Sequence, residues 1–557
     1  MPTRREMWDR LGAEVNVLVV GGGITGSGIA RDAARRGLSV ALVDMGDIAS
    51  GTSSRSSKLV HGGLRYLEHY EFSLVFEAVS ERRIVMDLAP HLVNPLGFIF
   101  PVYEGSRHKL WLLNAGMWLY DGLSLFRSPK IHRKLKPSDV AKIEPAVRQE
   151  GLRGAPLYYD CSTDDARLTL ETALDAAAEG AAIVPWCRLQ GFLHEDNGRI
   201  CGAIVKDVLT GELKEITAHV VINATGPWTD RTLALGKHPG AGNLLRPTKG
   251  VHIVLDFARL PLNHAVVCMH PDDHRVLFAI PWGDRTYIGT TDTDFEGDPA
   301  SVRATGDDVD YLVDAANANF PDHELSRAHV IATWAGIRPL IAPPSEAPDV
   351  AESAVSREHH IVVGQDGLVT IAGGKLTTYR RMAAEVVDTA ARLLQLSGRV
   401  RGEVPASSTD KAPLPGGVGW PEDDDHERVA EQVLEAGAPH VPQDVARHLG
   451  DTYGMRALEI AALCREDPAL ATRLVDGRPE IVAQVDWAVE QELAATLTDA
   501  MCRRTQLFYR DPDQGLGAAP RIADRMAKLL GWDAATREAQ LAAYAEEVEL
   551  SRRWKTD

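Results

Sequence analysis

The chain is 557 residues long, more than one hydrophobic core supports, so two or three domains are expected. Hydrophobic residues make up 45% and charged residues 25%, the balance of an ordinary globular protein. A formal net charge of −18 argues against general nucleic-acid binding, and no apolar run approaches the ~20 residues that span a bilayer.

The six cysteines (Cys161, Cys187, Cys201, Cys268, Cys464 and Cys502) form no C-x-x-C pair. They suit a reducing cytoplasm, and neither a disulfide framework nor a metal site is expected. The N-terminal MPTRREMWDRLGAE has paired arginines with no apolar segment behind them, which does not fit an export signal.

Residues 15–46 set the layout of the chain. Residues 15–20, VNVLVV, read as a buried strand ended by glycines. Gly21, Gly23 and Gly26 then fall in the spacing G-x-G-x-x-G, and residues 24–36 turn helical with a small or apolar inner side. Residues 38–43 are a second buried strand, with Asp44 at its end. Such a βαβ unit offers bare backbone amides and a helix N-terminus to a pyrophosphate. A carboxylate about twenty residues beyond the glycines binds a ribose hydroxyl, and an acid there selects FAD or NAD over NADP.

Residues 51–68 come directly after the acid. Their hydroxyls, crowded into 52–57, can serve phosphate and ring edges, or cap a helix starting near Lys58. Residues 70–90 read as an amphipathic helix. In 105–136, Arg107, Lys109, Arg127, Lys130, Arg133, Lys134 and Lys136 stand against a single acid, Asp121. They bracket LWLLNAGMWLYDGLSLF, a pattern that suits a helix lying in a membrane interface. A buried helix beside a solvated basic loop is the alternative.

Residues 151–160 read as a strand, and Asp164-Asp165 as the cap of a helix over 166–180. Short strands are expected at 183–188, 191–195, 200–207 and 213–217, then a buried strand at 220–223 running into Thr225-Gly226-Pro227-Trp228. From 245 to 345 the texture is β-rich with a helix at 307–319, which predicts an antiparallel sheet covering a substrate. Arg338 is placed just after a strand, where it can hold an anion. Residues 368–372 form another apolar strand ending at Gly373-Gly374, with a helix from about Lys375. That positive helix end suits a flavin, whose reduced ring carries negative charge, better than a nicotinamide. Residues 397–425 read as a linker, and 426–550 as nearly all helix without metal spacing or phosphate loop.

GGGITGSGIARDAARRGLSV, TSSRSSKLVHGGLRYLEHYEFSLVFEA, NATGPW, KGVHIV, IPWGDRTYIGTTD, GIRPL and GGKLTTYR together resemble the FAD-dependent glycerol-3-phosphate dehydrogenases. The resemblance covers 15–395 strongly and extends more weakly through HLGDTYG and MCRRT. It implies an α/β fold: a Rossmann-like FAD-binding domain (parts about 15–90, 162–235 and 350–395) with an antiparallel β-sheet substrate domain (about 91–161 and 236–349). A linker (401–425) and an all-helical C-terminal domain (426–550) complete it.

Residue by residue, the resemblance implies cofactor contacts at Gly21, Gly23, Gly26, Asp44, Thr52, Ser53, Ser57, Lys58 and His61. It implies further ones at Gly226, Gly373, Gly374, Lys375, Leu376 and Thr377. Arg65, Tyr66, Arg338 and Lys375 match positions at the substrate, and His61, His252, Arg338 and Lys375 catalytic ones. The implied reaction is oxidation of sn-glycerol 3-phosphate to dihydroxyacetone phosphate, with hydride passing from C2 to flavin N5 and electrons on to membrane quinone. His61 and His252 are both open as the base, with Lys375 or an arginine stabilising the alkoxide. A homodimer in the cytoplasm, peripherally attached to lipid at the inner membrane, is expected. Rival readings are a soluble oxidase making hydrogen peroxide, a 2-hydroxy acid dehydrogenase, and a flavin-containing scaffold without turnover.

Overall fold

The computed structural model describes residues 1–63, 71–106, 109–123, 129–236, 244–343 and 358–557. Among these, the Val15–Val20 strand lies inside an eight-stranded sheet. It pairs in parallel with Val40–Val43 on one side and with the end of Leu213–Asn223 on the other. Ala182–Val184 and Val369–Gly373 extend the parallel set outward. The helix Ile24–Arg35 packs against both Asp165–Ala178 and Tyr379–Leu396. The central strands are buried, which is why they read as unbroken apolar runs. Val20, Val43 and Asn223 stand at the carboxyl ends of their strands, at one edge where a crevice opens.

Three local expectations change. The strand expected at 183–188 is split, because Trp186 (φ +57°) turns the chain between Ala182–Val184 and Cys187–His194. Conversely, 213–223 is one strand. Its first half pairs antiparallel with Ile200–Asp207 and its second half joins the parallel sheet. Arg338 lies within the strand Val330–Ile341 rather than after it. Pro339 sits opposite Pro247 on the strand Leu245–Asp256.

The second sheet has eleven strands among the described residues, antiparallel except where Ala265–Met269 runs parallel to Val93–Ile99. Its inner face buries Val251, Ile253, Ile288 and Ile337 against Val309, Leu312 and Ala316 of the helix Gly306–Asn319. Residues beyond 426 are mainly helical, from His426–Ala436 to Ala534–Arg552, with a core around Val429, Leu449 and Ile460. The segment expected as a linker is strapped down. Arg31 donates to the Thr409 and Ala412 carbonyls, Leu414 N–H to Leu88 O, and Gly416 N–H to Glu171.

The basic, aromatic segment contains the helix Leu110–Leu123. Met117, Tyr120 and Asp121 are buried, while Trp111 (67%) and Trp118 (59%) are exposed beside Leu112 and Leu119.

Candidate functional site

A cavity of about 650 Å³ opens between the two sheets. Gly21 and Gly23 line it. Gly21 has φ +112°, and a Cβ there would stand 2.5 Å from Ala224 O. A Cβ on Gly26 would lie 1.8 Å from Gly21 O, so Gly26 contributes by letting the helix close on the turn, not by lining the cavity. The Asp44 carboxylate accepts the N–H of Gly22 (2.6 Å) and of Gly46 (2.8 Å). Burial pushes its pKa up to about 6 against the pull of those two amides.

The hydroxyl-rich loop is spent partly on architecture. Ser53 Oγ accepts the Ile24 N–H (2.9 Å) at the start of the first helix. Thr52 donates to Ile337 O (2.7 Å), tying this loop to the second sheet. Both residues line the cavity with Ser57 and His61, whereas Lys58 does not. Its ammonium is buried 2.6 Å from Asp165 and lies over Trp282 and Trp334. Lys58 has φ +52°, so the helix envisaged from this position does not form. Asp164, not Asp165, caps the following helix by accepting the Arg167 N–H (3.0 Å). Asp165 instead accepts from Ser56 and Lys58.

The second glycine pair meets the first loop here. Gly226, Gly373, Gly374, Lys375, Leu376 and Thr377 all line the cavity. Thr377 Oγ1 accepts the His61 N–H and donates to His61 O, each at 3.1 Å. A 3-10 turn, Leu376–Thr378, precedes the long helix Tyr379–Leu396.

The second sheet supplies His252 and Arg338. Arg338 donates to Asp292 (3.0 Å), Thr290 Oγ1 (3.0 Å) and Thr291 O (3.2 Å). Its guanidinium lies over Gly250, where a Cβ would come within 2.4 Å of Nη2. His252 is buried, and its Nε2 lies 2.9 Å from Ser57 Oγ. Burial, then the charges of Arg338 and Lys58, hold its pKa well below the ordinary value, so the ring is neutral near pH 7. Arg65 and Tyr66 lie outside the described residues. Asp292, Thr290 and Trp334, which hold the two basic side chains, carry no signal of their own in the sequence. Their only cue is a place in TYIGTTD and TWAGIRPL.

The cavity accepts a dinucleotide on its own geometry: a turn where a Cβ meets backbone, a carboxylate at the strand end, and a second glycine turn facing it. The model of the family "FAD dependent oxidoreductase" matches residues 16–380, and that of "C-terminal domain of alpha-glycerophosphate oxidase" matches 407–537. The aerobic glycerol-3-phosphate dehydrogenase of Staphylococcus epidermidis is 38% identical over 539 residues, covering 97% of this chain and 94% of that protein. Glycerol-3-phosphate dehydrogenase 2 of Mycobacterium tuberculosis is 39% identical over 553 residues, covering 98% and 91%. The crystal structure of the glycerol-3-phosphate dehydrogenase from Bacillus halodurans complexed with FAD superposes with a TM-score of 0.80 at 32% identity, covering 98% of this chain and 97% of that one. The glycine turns, the strand-end acid and the full-length likeness lead to one conclusion: the chain belongs to the family of FAD-dependent glycerol-3-phosphate dehydrogenases.

Proposed function

We propose that the chain oxidises sn-glycerol 3-phosphate to dihydroxyacetone phosphate and delivers the electrons to membrane quinone. The observation that carries this reading is the meeting of Arg338, Lys375, His252 and His61 on the cavity that also holds the dinucleotide motif. The names of the relatives support the same substrate.

Gly21 and Gly23 would hold the pyrophosphate of FAD, Asp44 its ribose, and Gly373 to Thr377 its ring; when bound, FAD supplies the two-electron acceptor. Arg338 and Lys375 bind the phosphate dianion. Each charge-assisted bond is worth about 1.5–3 kcal/mol, enough to prefer the phosphorylated alcohol over glycerol. Neutral His252 takes the proton of the C2 hydroxyl through Ser57, whose hydroxyl accepts it while passing its own proton to Nε2, 2.9 Å away. Arg338, fixed by Asp292 and Thr290, gives no proton and orients the substrate.

A peripheral membrane contact belongs to the same reading. It is supported by the exposed Trp111, Leu112, Trp118 and Leu119, with Lys130, Arg133, Lys134 and Lys136 exposed nearby in the chain. No helix among the described residues is long and apolar enough to cross a membrane.

Anaerobic titration with glycerol 3-phosphate tests the proposal. Flavin absorbance is expected to bleach, and Arg338→Ala to lose bleaching at low substrate while keeping bound FAD. Equal bleaching of parent and variant at the same substrate concentration would remove Arg338 from the phosphate site. Reoxidation by a quinone analogue faster than by dissolved oxygen is the outcome expected of a dehydrogenase rather than an oxidase.

A further inference from the structure

The turn after the ribose acid, residues 44–50, contains a second carboxylate with no part in the cavity. Asp47 is fully buried and faces the C-terminal helical region. Arg503 Nε donates to its Oδ2 (2.5 Å), and Arg504 donates from Nη1 to Oδ2 (2.7 Å) and from Nη2 to Oδ1 (3.0 Å). Burial alone would raise the Asp47 pKa, but the two arginines outweigh it and hold the group ionised. Both arginines sit in Ala500–Arg504, a stretch of π-helix, a rare geometry often kept at functional positions. Arg503 also donates to Asp499 (2.6 Å), and Arg504 to Glu492 O (2.7 Å).

The grip continues into the turn by a second route. Asp499 accepts the Trp186 Nε1–H (3.0 Å), and Trp186 N–H donates to Gly46 O (2.7 Å). Gly46 N–H in turn holds Asp44 Oδ1, and Ala49 N–H reaches Gly22 O (3.0 Å). The turn is therefore clamped between the phosphate-binding glycines and a helix some 456 residues away in the chain.

We infer that Arg503 and Arg504 are cofactor-positioning residues, through which the C-terminal helical region keeps Asp44 aimed and charged for the ribose. This rests on Asp44 as the ribose acid. The charged and titratable groups acting on Asp44 are Asp47 on its own turn, Arg503 from the C-terminal region and Cys187 on the neighbouring strand, while Arg504 and Asp499 act on Asp47. Asp47 raises the Asp44 pKa and Arg503 lowers it. The bond to the ribose is present above the Asp44 pKa and is lost as pH falls through it. Removing Arg503 moves that loss to higher pH.

The test measures FAD affinity of deflavinated full-length protein between pH 5 and 8, with flavin fluorescence as the readout. Arg503→Gln is expected to bind FAD several-fold more weakly at pH 7, because the turn loses its anchor, and to reach half-release at a higher pH than the parent. Arg503→Lys, which keeps the charge, is expected to restore the parental half-release pH while releasing FAD faster. Arg503→Gln with a lowered melting temperature but parental FAD affinity and half-release pH would reduce the pair to a fold-stabilising contact. If that variant does not fold, Arg503→Lys decides, and FAD leaving it at the parental rate overturns the inference. Asp44→Asn is run alongside. If it binds FAD like the parent, the ribose assignment fails instead.

Discussion

His252 Nε2 and Ser57 Oγ stand 2.9 Å apart although 195 residues separate them. Trp334 stacks on the imidazole at 4.8 Å and 15°, and its indole N–H donates to Ser56 O (3.1 Å). The histidine from the second sheet is thus locked onto the loop beyond the ribose acid.

This lock has a pH signature. The folded-state pKa of His252 lies below the 6.5 of a free imidazole, so the unfolded chain binds the proton more readily. Its contribution penalises the fold as pH falls below about 6.5 and is absent above it. His252→Gln should flatten the acid side of the stability curve in urea titrations while lowering turnover roughly 10²–10⁴-fold. A variant with the parent's acid sensitivity would mean another group titrates.

Arg338 lines the cavity, and three acceptors fix its planar guanidinium there. Lysine is a point donor and cannot reproduce that geometry. Arg338→Lys should raise KM for glycerol 3-phosphate roughly ten- to hundredfold with flavin content unchanged. Gly250→Ala should act in the same direction, because its Cβ would displace Nη2 and Thr290 Oγ1. Steady-state kinetics on the flavin-loaded variants decide this.

Lys58 is paired with Asp165 and does not line the cavity. Side-chain exposures of 3% and 0% for Lys58 and Asp165 make theirs a buried pair. Lys58→Met leaves Asp165 charged and buried, so unfolding free energy should fall by about 3–5 kcal/mol. Lys58→Met combined with Asp165→Leu should recover part of that loss. A double variant no more stable than the single would show that the hydrogen bonds of Asp165 to Ser56 matter more than the charge pair.

Gly26→Ala places a methyl 1.8 Å from Gly21 O, a backbone atom that cannot swing aside. The helix and the phosphate turn must separate, and the purified protein should carry little flavin. An absorbance ratio at 450 and 280 nm equal to the parent's would show that the turn tolerates the shift.

Trp111→Ser with Trp118→Ser should abolish flotation with anionic vesicles and leave turnover with a soluble dye acceptor intact, since both side chains are more than half exposed and neither lines the cavity. Vesicle binding equal to the parent's would place the contact elsewhere.

Much of what depends on neighbouring residues was legible in the chain alone. The valine runs, the glycine spacing and the acid at position 44 specified a strand, turn, helix and strand, because periodicity and backbone sterics act within a few residues. The glycine pair at 373–374 and its helix were legible for the same reason, as was the C-terminal block of helices. Which of the many hydroxyls and cations reach the cavity was settled only by the packing of the whole molecule. Lys58 and Ser57 are adjacent, yet one is buried against Asp165 and the other meets His252. Likewise 397–425, polar and rich in turn formers, is fixed by arginine and carboxylate partners from helices centred hundreds of residues earlier. The physical reason is common to all of these. A side chain's partner across the fold is set by how whole sheets and helices pack, and that packing leaves no periodic trace in the chain.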